Sequence, residues 1–327
     1  MSRTIRRRAV VTGLVAGTCA VPLATFAQGA YPNKPVKIVV SFSPGGTTDI
    51  LARFLAQKLS EATGQPFVVD NKPGAGGILG NDNVAKSAPD GYTLLMGSAS
   101  NLAVNVSMYK NFPYDPRKDL IPITQVASGP FVIVVNPQVP AQTFKEFLAL
   151  AKAKPGSITF GTSGNGTSLH LAGELINAMA DVKMTHIPYK GTGPATMDTI
   201  SGQLSMTLSD MVPFMPHIQA GKLRPLAQTM AQRSKLLPDL PTIAETLPGY
   251  DATSWYGLMA PAGTPPAAIQ RIHQELGKIM QMPDVRARYT QLAVEPVNTT
   301  PEQFGAYITS EQAKWAEVVR KSGAKVD

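Results

Sequence analysis

Short apolar runs rich in β-branched residues alternate with amphipathic stretches along most of the chain. The runs predict strands, and the stretches with apolar residues at helical spacing predict helices. The predicted strands are Val36–Phe42, Phe67–Asp70, Tyr92–Gly97, Phe131–Asn136, Ile158–Gly161, Leu204–Leu208, Leu223–Gln228 and Trp255–Ala260. The predicted helices cover residues 49–62, 143–153, 167–180, 194–202 and 214–220, and then 265–281, 284–292 and 301–322. This alternation predicts an α/β fold with a mostly parallel sheet and a helical C-terminal part.

The size and punctuation of the chain predict two lobes. The chain has 327 residues, and a single hydrophobic core rarely serves more than about 250–300 residues. Proline, glycine and aromatic residues interrupt the pattern near 111–116 and 247–250, so we place a lobe crossing shortly after each. The prediction is a first lobe of residues 28–128 plus 252–327 and a second lobe of residues 129–251. Two crossings create an interdomain cleft, which is a common place for a small-molecule site.

The first predicted strand leads directly into a glycine turn and then into a helix. Adjacent Gly45 and Gly46 let the backbone turn tightly. The side chains of Thr47, Thr48 and Asp49 are candidates to cap the unpaired N–H groups at the helix start. Those N–H groups and the positive end of the helix dipole suit a carboxylate or a phosphate. The segment is therefore either an anion site or a capped turn without a ligand.

A second turn of this kind lies in the predicted second lobe. There the strand ending at Gly161 is followed by Thr-Ser-Gly-Asn-Gly-Thr-Ser-Leu-His170 and a helix. Two such turns facing each other across a cleft would aim two helix starts at one ligand, each contributing about 0.3–1 kcal/mol. Glycine segments at 188–194 and 71–77 also adjoin predicted helix and strand ends, where α/β proteins bind ligands. Each segment taken alone is also explained as a loop that needs positive φ.

Motifs for nucleotides are incomplete. Residues 161–168 have the Gly-x-x-x-x-Gly spacing of a phosphate loop, but Thr167 stands where lysine is required. No glycine run completes Gly-x-Gly-x-x-Gly after a strand. ATP and dinucleotides are therefore disfavoured, and no cofactor is predicted.

Catalytic constellations are also incomplete. Residues 161–165 lack the closing glycine of a nucleophile elbow, and the four histidines lack metal-ligand spacing. His170, one turn into its helix, fits a packing or supporting role better than that of a base. Asp49 and Asp210 lie beside strand ends and could cap, hold a water or meet a ligand donor, and Lys190 could pair with an anion. No catalytic residue and no metal site is predicted.

The first 27 residues have the features of an export signal. Four arginines at positions 3, 6, 7 and 8 precede an uncharged apolar stretch that ends at a cleavage-like Thr25-Phe-Ala27. The paired arginines leave both the Sec and the twin-arginine routes open. These arginines supply half of the formal charge of +8, and the other charges are dispersed, so a nucleic-acid partner is not indicated. The only cysteine, Cys19, lies in this leader, so we expect a periplasmic protein without thiol chemistry.

An ordered series of short motifs extends over essentially the whole mature chain. The motifs are Tyr31-Pro-x-Lys-Pro-Val36, Phe42-Ser-Pro-Gly-Gly46 with Asp49, Asp70-Asn-Lys-Pro-Gly-Ala-Gly-Gly77, Pro89-Asp-Gly-Tyr-Thr-Leu94, Pro113-Tyr-Asp-Pro116, Gly161 to His170, Pro188-Tyr-Lys-Gly191, Gly202-Gln203, Pro241-Thr-Ile-Ala-Glu245, Trp255-Tyr-Gly-Leu258 and Ala260-Pro-Ala-Gly-Thr264. In this series the chain resembles the periplasmic solute receptors of tripartite tricarboxylate transporters, the Bug or TctC group.

The resemblance implies a two-lobe periplasmic binding protein of type II, the Venus-flytrap fold, with two crossover segments. Such a receptor closes on a small carboxylate, held partly through waters by the turns at 42–49 and 163–167. The far end of the ligand is implied to lie near segments 98–101 and 190–193 and near Asp210. The implied ligand-binding residues are Phe42, Ser43, Gly45, Gly46, Thr47, Asp49, Ser98, Ser100, Asn101, Ser163, Gly166, Thr167, Lys190, Gly191, Thr192, Gly193 and Asp210. Ser43 departs from the family pattern, because many relatives carry proline there.

The preferred hypothesis is a monomeric binding protein, not an enzyme, that delivers its carboxylate to the membrane permease subunits of a tripartite tricarboxylate-type transporter. One alternative is a secreted serine hydrolase that uses Ser163 with His170. Another is a receptor of the same fold that serves a different importer or a sensor. The carboxylate itself stays open among dicarboxylates, citrate-like acids, aromatic acids, amino acids and nicotinate.

Overall fold

The computed structural model describes residues 31–322. The predicted export leader and Cys19 lie outside the described residues. The strands are β1 (Val36–Val40), β2 (Phe67–Asn71), β3 (Thr93–Ser98), β4 (Leu120–Val135), β5 (Thr159–Thr162), β6 (Thr185–Pro188), β7 (Met206–Asp210), β8 (Arg224–Gln228), β9 (Thr253–Pro261) and β10 (Glu295–Pro296). The α-helices are α1 (Thr47–Thr63), α2 (Ile78–Ala85), α3 (Asn105–Met108), α4 (Phe144–Ala153), α5 (Ser168–Ala180), α6 (Thr192–Ser201), α7 (Met215–Gln219), α8 (Pro266–Ile279), α9 (Pro283–Gln291) and α10 (Pro301–Ser322). Short helical turns occupy Ala75–Gly77, Ser100–Val104 and Ile243–Glu245. Between residues 31 and 322, no helix combines the length and the apolar character needed to cross a membrane.

The strands form one continuous mixed sheet in the order β2-β1-β3-β9-β4-β7-β5-β6, and β8 and β10 also pair with β4. The outer strands are parallel, as β1 is to β2 and β3, and as β5 is to β6 and β7. The central strands β4 and β9 run antiparallel to their neighbours. The expectation of a mostly parallel sheet is therefore wrong at the centre, because the two strands that join the lobes run back against the others.

Strand β4 carries the chain from one half of the sheet to the other. Its residues Leu120–Pro130 pair with β9, whereas Phe131–Val135 pair with β7 and β8. Sequence reasoning predicted only the second part, because Pro122, Gly129 and Pro130 interrupt the apolar pattern of the first. The change of partner lies near the predicted lobe limit at 128/129, and β9 begins near the limit at 251/252. The limits themselves stay predictions.

The alternation of side chains along β1 shows how the sheet separates two parts of the core. Ile38 and Val40 face the cluster that includes Leu51 and Leu55 of α1, whereas Val39 faces the opposite side, with Leu95. All of these side chains are fully buried. Parallel strands covered by helices on both faces show such continuous apolar runs, which is why β1 was predictable from sequence.

The sequence analysis missed helices α2 and α3 and strands β6 and β10. Helix α3 has four residues and β10 has two, which is too short for a periodic pattern. Helix α2 has no continuous apolar face, because it buries Gly80 and Asn81 beside Ile78 and Val84. It approaches the end of β1 so closely that a Cβ on Gly80 would lie 2.5 Å from Ser41 Oγ. Strand β6 is four residues long, includes His186 and ends at Pro188, so it lacks the usual β pattern.

Helix α10 is anchored by a buried acid, Glu311. Its Oε2 accepts hydrogen bonds from Trp255 Nε1 of β9 at 2.9 Å and from Trp315 Nε1 at 3.1 Å. The next residue of the helix is Gln312, whose side-chain amide donates to Leu102 O at 2.9 Å. The same helix packs against β4, the Ser100–Val104 turn and α5. The C-terminal part therefore supports the centre of the molecule.

We expect Glu311→Ala to lower the free energy of unfolding by about 2–4 kcal/mol, because two buried indole N–H groups lose their acceptor. Denaturant unfolding followed by circular dichroism measures this loss. Lys314→Ala is the control, since it removes the partly exposed ion pair to Glu311 at 3.1 Å and the contact of its ammonium with the Trp315 ring but leaves both indole hydrogen bonds, and it should cost less than about 1 kcal/mol. Equal losses in the two variants would show that the indoles find other acceptors.

Candidate ligand-binding site

The turn before α1 meets the start of α6, which belongs to the other half of the sheet. The Ser43 N–H donates to Lys190 O at 3.0 Å. A Cβ on Gly193 would lie 2.7 Å from Pro44 O, and a Cβ on Gly191 would lie 3.0 Å from Ser43 N. Backbone therefore touches backbone here, and only glycine permits the approach.

A second set of contacts joins the lobes beside the first. The Ser168 N–H donates to Ser100 Oγ at 3.0 Å, and the two serine hydroxyls are 2.8 Å apart. The Tyr109 hydroxyl donates to Asn165 O at 3.0 Å. These direct bonds define a closed conformation of the cleft.

The closed cleft encloses a small inner cavity with a volume of about 30 Å³, enough for about two water molecules. Hydroxyl groups dominate its walls, and among the described residues that line it none is a lysine, arginine or histidine. The lining residues are Phe42, Ser43, Gly46, Thr47, Thr48, Asp49, Ser98, Ala99, Ser100, Phe131, Ser163, Ser168, Leu169, Thr192, Ser209, Asp210, Ser254, Trp255 and Tyr256.

Helix α1 starts at this cavity without a side-chain cap. Its N-cap residue is Gly46, and no side chain accepts from the first-turn N–H groups as a cap. The hydroxyl of Thr47 is buried and has no hydrogen-bond partner among residues 31–322. The expectation that Thr47, Thr48 and Asp49 cap this helix is therefore wrong, and the helix start offers donors to the cavity instead.

Asp49 stabilises the turn rather than the helix end. Its carboxylate accepts from Gly45 N–H at 3.1 Å, from Arg53 Nε at 3.0 Å and from Asn71 Nδ2 at 2.9 Å. Burial acts to raise the pKa of Asp49, but the hydrogen bonds from Arg53, Asn71 and Gly45 outweigh it and hold the pKa below its ordinary value. Asp49 is therefore ionised, and Arg53 balances its charge.

The turn before α5 differs from the turn before α1, because the protein itself uses its donors. The Thr167 hydroxyl accepts from His170 N–H at 3.3 Å and donates to Gly164 O at 2.9 Å. The Gly166 N–H donates to His170 Nδ1 at 3.2 Å. This turn gives the inner cavity the side chains of Ser163, Ser168 and Leu169 rather than a set of free amides.

His170 and His186 stack beneath this turn, with ring centroids 4.0 Å apart. Burial lowers the pKa of His170 to about 4, and burial together with the charge of His170 lowers the pKa of His186 to about 3. His186 Nε2 also lies 2.6 Å from Thr162 Oγ1. Both rings are therefore neutral near pH 7 and support the backbone of the turn.

Asp210 ends β7 at the floor of the inner cavity and is completely buried. The hydroxyls of Ser254 and Tyr256, both on β9, hydrogen-bond to its two carboxyl oxygens. Burial raises the pKa of Asp210 above its ordinary value, although these hydroxyls act in the opposite sense. The nearby Thr47 hydroxyl also acts to lower the pKa of Asp210, although the two groups do not have the geometry of a hydrogen bond.

An outer groove of about 580 Å³ adjoins the inner cavity and shares Phe42, Ser43 and Ser163 with it. Lys190 is the one cationic residue among the described residues that line this groove. The remaining lining residues are Gly74, Ala75, Gly76, Gly77, Tyr109, Gly164, Asn165, Pro188, Tyr189 and Pro194. The two spaces together are large enough for an organic acid, whereas the inner cavity alone holds only a group of carboxylate size.

The predicted ligand-binding residues divide into three groups by position. Those that line the inner cavity are Phe42, Ser43, Gly46, Thr47, Asp49, Ser98, Ser100, Ser163, Thr192 and Asp210. Lys190 lines only the outer groove. The residues that line neither space are Gly45, Asn101, Gly166, Thr167, Gly191 and Gly193. Asn101 instead accepts from Ser98 N–H at 2.8 Å and so holds the Ser98 segment in place. The role of the whole set in binding stays a prediction.

Sequence reasoning missed several lining residues on the central strands. They are Phe131 of β4, Ser209 of β7, and Ser254, Trp255 and Tyr256 of β9. Phe131 and the three β9 residues lie near the points where β4 and β9 cross between the halves of the sheet, and Ser209 lies beside them on β7, opposite Val132. The crossing itself was the signal that could have found them, because it brings these strands beneath the cleft.

Residues 51–324 match the family model described as the tripartite tricarboxylate transporter family receptor. The chain belongs to this family. The resemblance inferred from the motifs is thereby confirmed over most of the chain.

Similar proteins agree with this family and with its fold. The receptor is 38% identical to Protein BugT of Bordetella pertussis over 322 residues, which cover 98% of each chain. It is similar to the solved structure of R. palustris Rpa4515 with adipate, at a TM-score of 0.88 and 34% identity over 90% of this chain and 100% of that one. It is also similar to MatC (Rpa3494) from Rhodopseudomonas palustris with bound malate, at a TM-score of 0.84 and 29% identity over 88% and 100%. The predicted two-lobe α/β fold is confirmed.

We expect Gly193→Ala to obstruct closure without harming its own lobe. The added Cβ would meet Pro44 O of the facing turn, whereas alanine within the first turn of α6 favours the helix. The Ser43 amide, bonded only across the closed cleft, should then exchange with solvent about tenfold faster or more. Hydrogen exchange of the 41–46 segment measures this effect.

Gly305→Ala is the matched control, because a Cβ at this helical position would meet Pro122 at an ordinary 3.5 Å. It should leave exchange of the 41–46 segment unchanged. If Gly193→Ala also left that exchange unchanged, the backbone contact between the two turns would not govern closure.

Proposed function

We propose that this receptor binds a small carboxylate between its lobes outside the cytoplasm and delivers it to a tripartite tricarboxylate-type membrane transporter. The observation that carries the proposal is the uncapped start of α1, which faces a closed, hydroxyl-lined cavity between the lobes. Family membership supports the role of a transport receptor. The predicted leader supports export to the periplasm.

A carboxylate suits the inner cavity for three reasons. The first-turn amides of α1 and the Thr47 hydroxyl are unpaired donors beside it. The positive end of the helix dipole favours an anion there. Hydrogen bonds to an ionised group contribute about 1.5–3 kcal/mol each, so a few of them outweigh the absence of a cationic side chain. The rest of the ligand would extend past Phe42, Ser43 and Ser163 into the outer groove.

The ligands of similar proteins belong to the same chemical class. Rpa4515 was solved with adipate and MatC with malate, and both compounds are dicarboxylates. A dicarboxylate would place one carboxylate in the inner cavity and direct the other toward the outer groove, where Lys190 is the cationic residue. Closure around such a ligand gives a membrane partner a distinct conformation to recognise.

The geometry around Ser163 disfavours the alternative of a serine hydrolase. His170 Nδ1 accepts from Gly166 N–H, and its Nε2 lies 3.8 Å from Glu174 Oε1. The ring is therefore directed at other groups, and burial holds its pKa at about 4. A general base needs a pKa near the working pH and a hydrogen bond to the nucleophile, and His170 fits neither condition.

We expect adipate, malate or a related organic acid to raise the melting temperature in a thermal-shift screen, because a ligand at 100 times its Kd adds about 2.7 kcal/mol of stability. Thr47→Val should weaken binding of that ligand by about 10-fold to 100-fold, since it removes one donor to the anion. Isothermal titration calorimetry measures both affinities.

Thr63→Val is the matched control, because Thr63 lies on the same helix and bonds only locally, donating to Leu59 O and accepting from Gln65 N–H. It should leave the affinity unchanged. A screen in which no carboxylate shifts the melting temperature would contradict the proposed function, and hydrolysis of esters that disappears in Ser163→Ala would support the alternative.

A further inference from the structure

The inner cavity contains two buried acids, of which one has a cationic partner and the other has none. Asp49 is paired with Arg53, whose NH2 lies 2.9 Å from its Oδ1. Asp210 has no such partner, because no lysine, arginine or histidine of residues 31–322 lines this cavity. An arriving carboxylate would therefore share a small closed space with an unbalanced acid.

The hydrogen atoms available around Asp210 decide its protonation state. Ser254 Oγ lies within hydrogen-bond distance of Asp210 Oδ1 and also 3.0 Å from Gly129 O. A serine hydroxyl has one hydrogen to donate, so an ionised Asp210 leaves one of these two contacts between acceptors without a proton. A proton on Asp210 Oδ1 resolves the conflict, because Asp210 then donates to Ser254 and Ser254 donates to Gly129 O.

The other oxygen of Asp210 fits the same arrangement. Tyr256 hydrogen-bonds to Oδ2, and burial keeps the pKa of Tyr256 far above its ordinary value, so this hydroxyl keeps its proton and donates. The chain of donors then runs from Tyr256 to Asp210, from Asp210 to Ser254 and from Ser254 to Gly129. Ser254 then accepts from Asp210 and donates to Gly129 O, so neither of its contacts lacks a hydrogen.

Few other titratable groups lie on the elements around β7. Strands β4 and β5 carry none in their described length. Helix α5 carries His170 and Glu174, and α6 carries Asp198, to which the Tyr189 hydroxyl donates at 2.6 Å. None of these three lines the inner cavity. Asp49, balanced by Arg53, is the other acid that faces the same space.

We propose that Asp210 is a neutral carboxylic acid in the closed receptor, so that binding of a carboxylate takes up one proton at this residue. This inference rests on the proposed function and adds its ligand class, which is organic anions that carry no ammonium group beside the bound carboxylate. Two carboxylates that share one site cannot both stay ionised, and the neutral acid removes that repulsion. An ionised Asp210 would instead select zwitterionic amino acids.

The sign of the pH dependence follows from the proton count. The closed complex holds one proton more than the free receptor wherever the free Asp210 is ionised. The Kd should therefore rise about tenfold for each unit of pH above that point. Below it, the affinity should be independent of pH.

The test is calorimetric titration of the full mature receptor with adipate, malate and glutamate in two buffers of different ionisation enthalpy. We expect uptake of about one proton with adipate or malate near pH 7–8, and weaker binding of glutamate. Asp210→Asn is the decisive variant, because its amide can donate to Ser254 while its oxygen accepts from Tyr256, as the neutral acid does. It should bind without proton uptake, with an affinity independent of pH, and more tightly than wild type at about pH 8.

Binding of adipate or malate without proton uptake, together with a stability relative to Asp210→Asn that does not change with pH in the ligand-free protein, would overturn the inference while leaving the proposed function intact. A preference for glutamate, or weaker binding by Asp210→Asn at every pH, would overturn it as well. If none of the three probes binds, a carboxylate found in the thermal-shift screen replaces them, and only a screen without any binder would contradict the proposed function. In that case the protonation state of Asp210 is tested in the ligand-free protein, through the pH dependence of its free energy of unfolding.

That second measurement has a definite sign. An acid that stays neutral in the folded protein stabilises it fully below the ordinary pKa of 3.8, and this stabilisation is lost as the pH rises. The stability of wild type relative to Asp210→Asn should therefore fall as the pH rises above about 4. A relative stability that does not change with pH would show an ionised Asp210 and overturn the inference.

Discussion

The approach of two backbone turns from different lobes is the constraint on which this receptor depends. The Ser43 N–H reaches Lys190 O only because the facing residues Gly191 and Gly193 have no side chains. Without that approach the start of α1 would face open solvent, and water would compete for each of its donors. Closure therefore does more than cover the ligand, because it creates the low-dielectric space in which amide and hydroxyl groups bind an anion well.

The two strand-end turns that look alike in sequence have different roles. The turn before α1 leaves its donors unpaired, whereas the turn before α5 is internally bonded through Thr167 and His170 and is tied to the other lobe through Ser168. The turn before α1 thus supplies hydrogen-bond donors to a ligand, whereas the turn before α5 supplies only side chains that line the cavity. Short sequence motifs cannot reveal this difference, since both are rich in glycine and hydroxyl residues.

Elements with a local residue pattern could be predicted from the sequence, whereas elements that form only because of long-range contacts could not. Strand β1 and helix α1 follow from an apolar run and helical spacing, and most of the predicted site residues indeed surround one cavity. The first half of β4 escaped prediction because its prolines and polar residues are tolerated only through pairing with β9. Asn101 was assigned to the ligand by resemblance, yet its side chain holds Ser98, a distinction that depends on where one amide points.

The position of α10 restricts how the molecule can open. This helix belongs to the C-terminal part, yet it packs against the Ser100–Val104 turn on one side and α5 on the other. The Tyr250 hydroxyl, in the connection that leads into β9, donates to Ala172 O and so holds α5 in place within the second lobe. The lobes are thus joined by two strands and by a third contact behind them. An opening motion that separated α5 from α10 would break that third contact, so the helix at the C-terminal end of the chain stabilises the closed conformation.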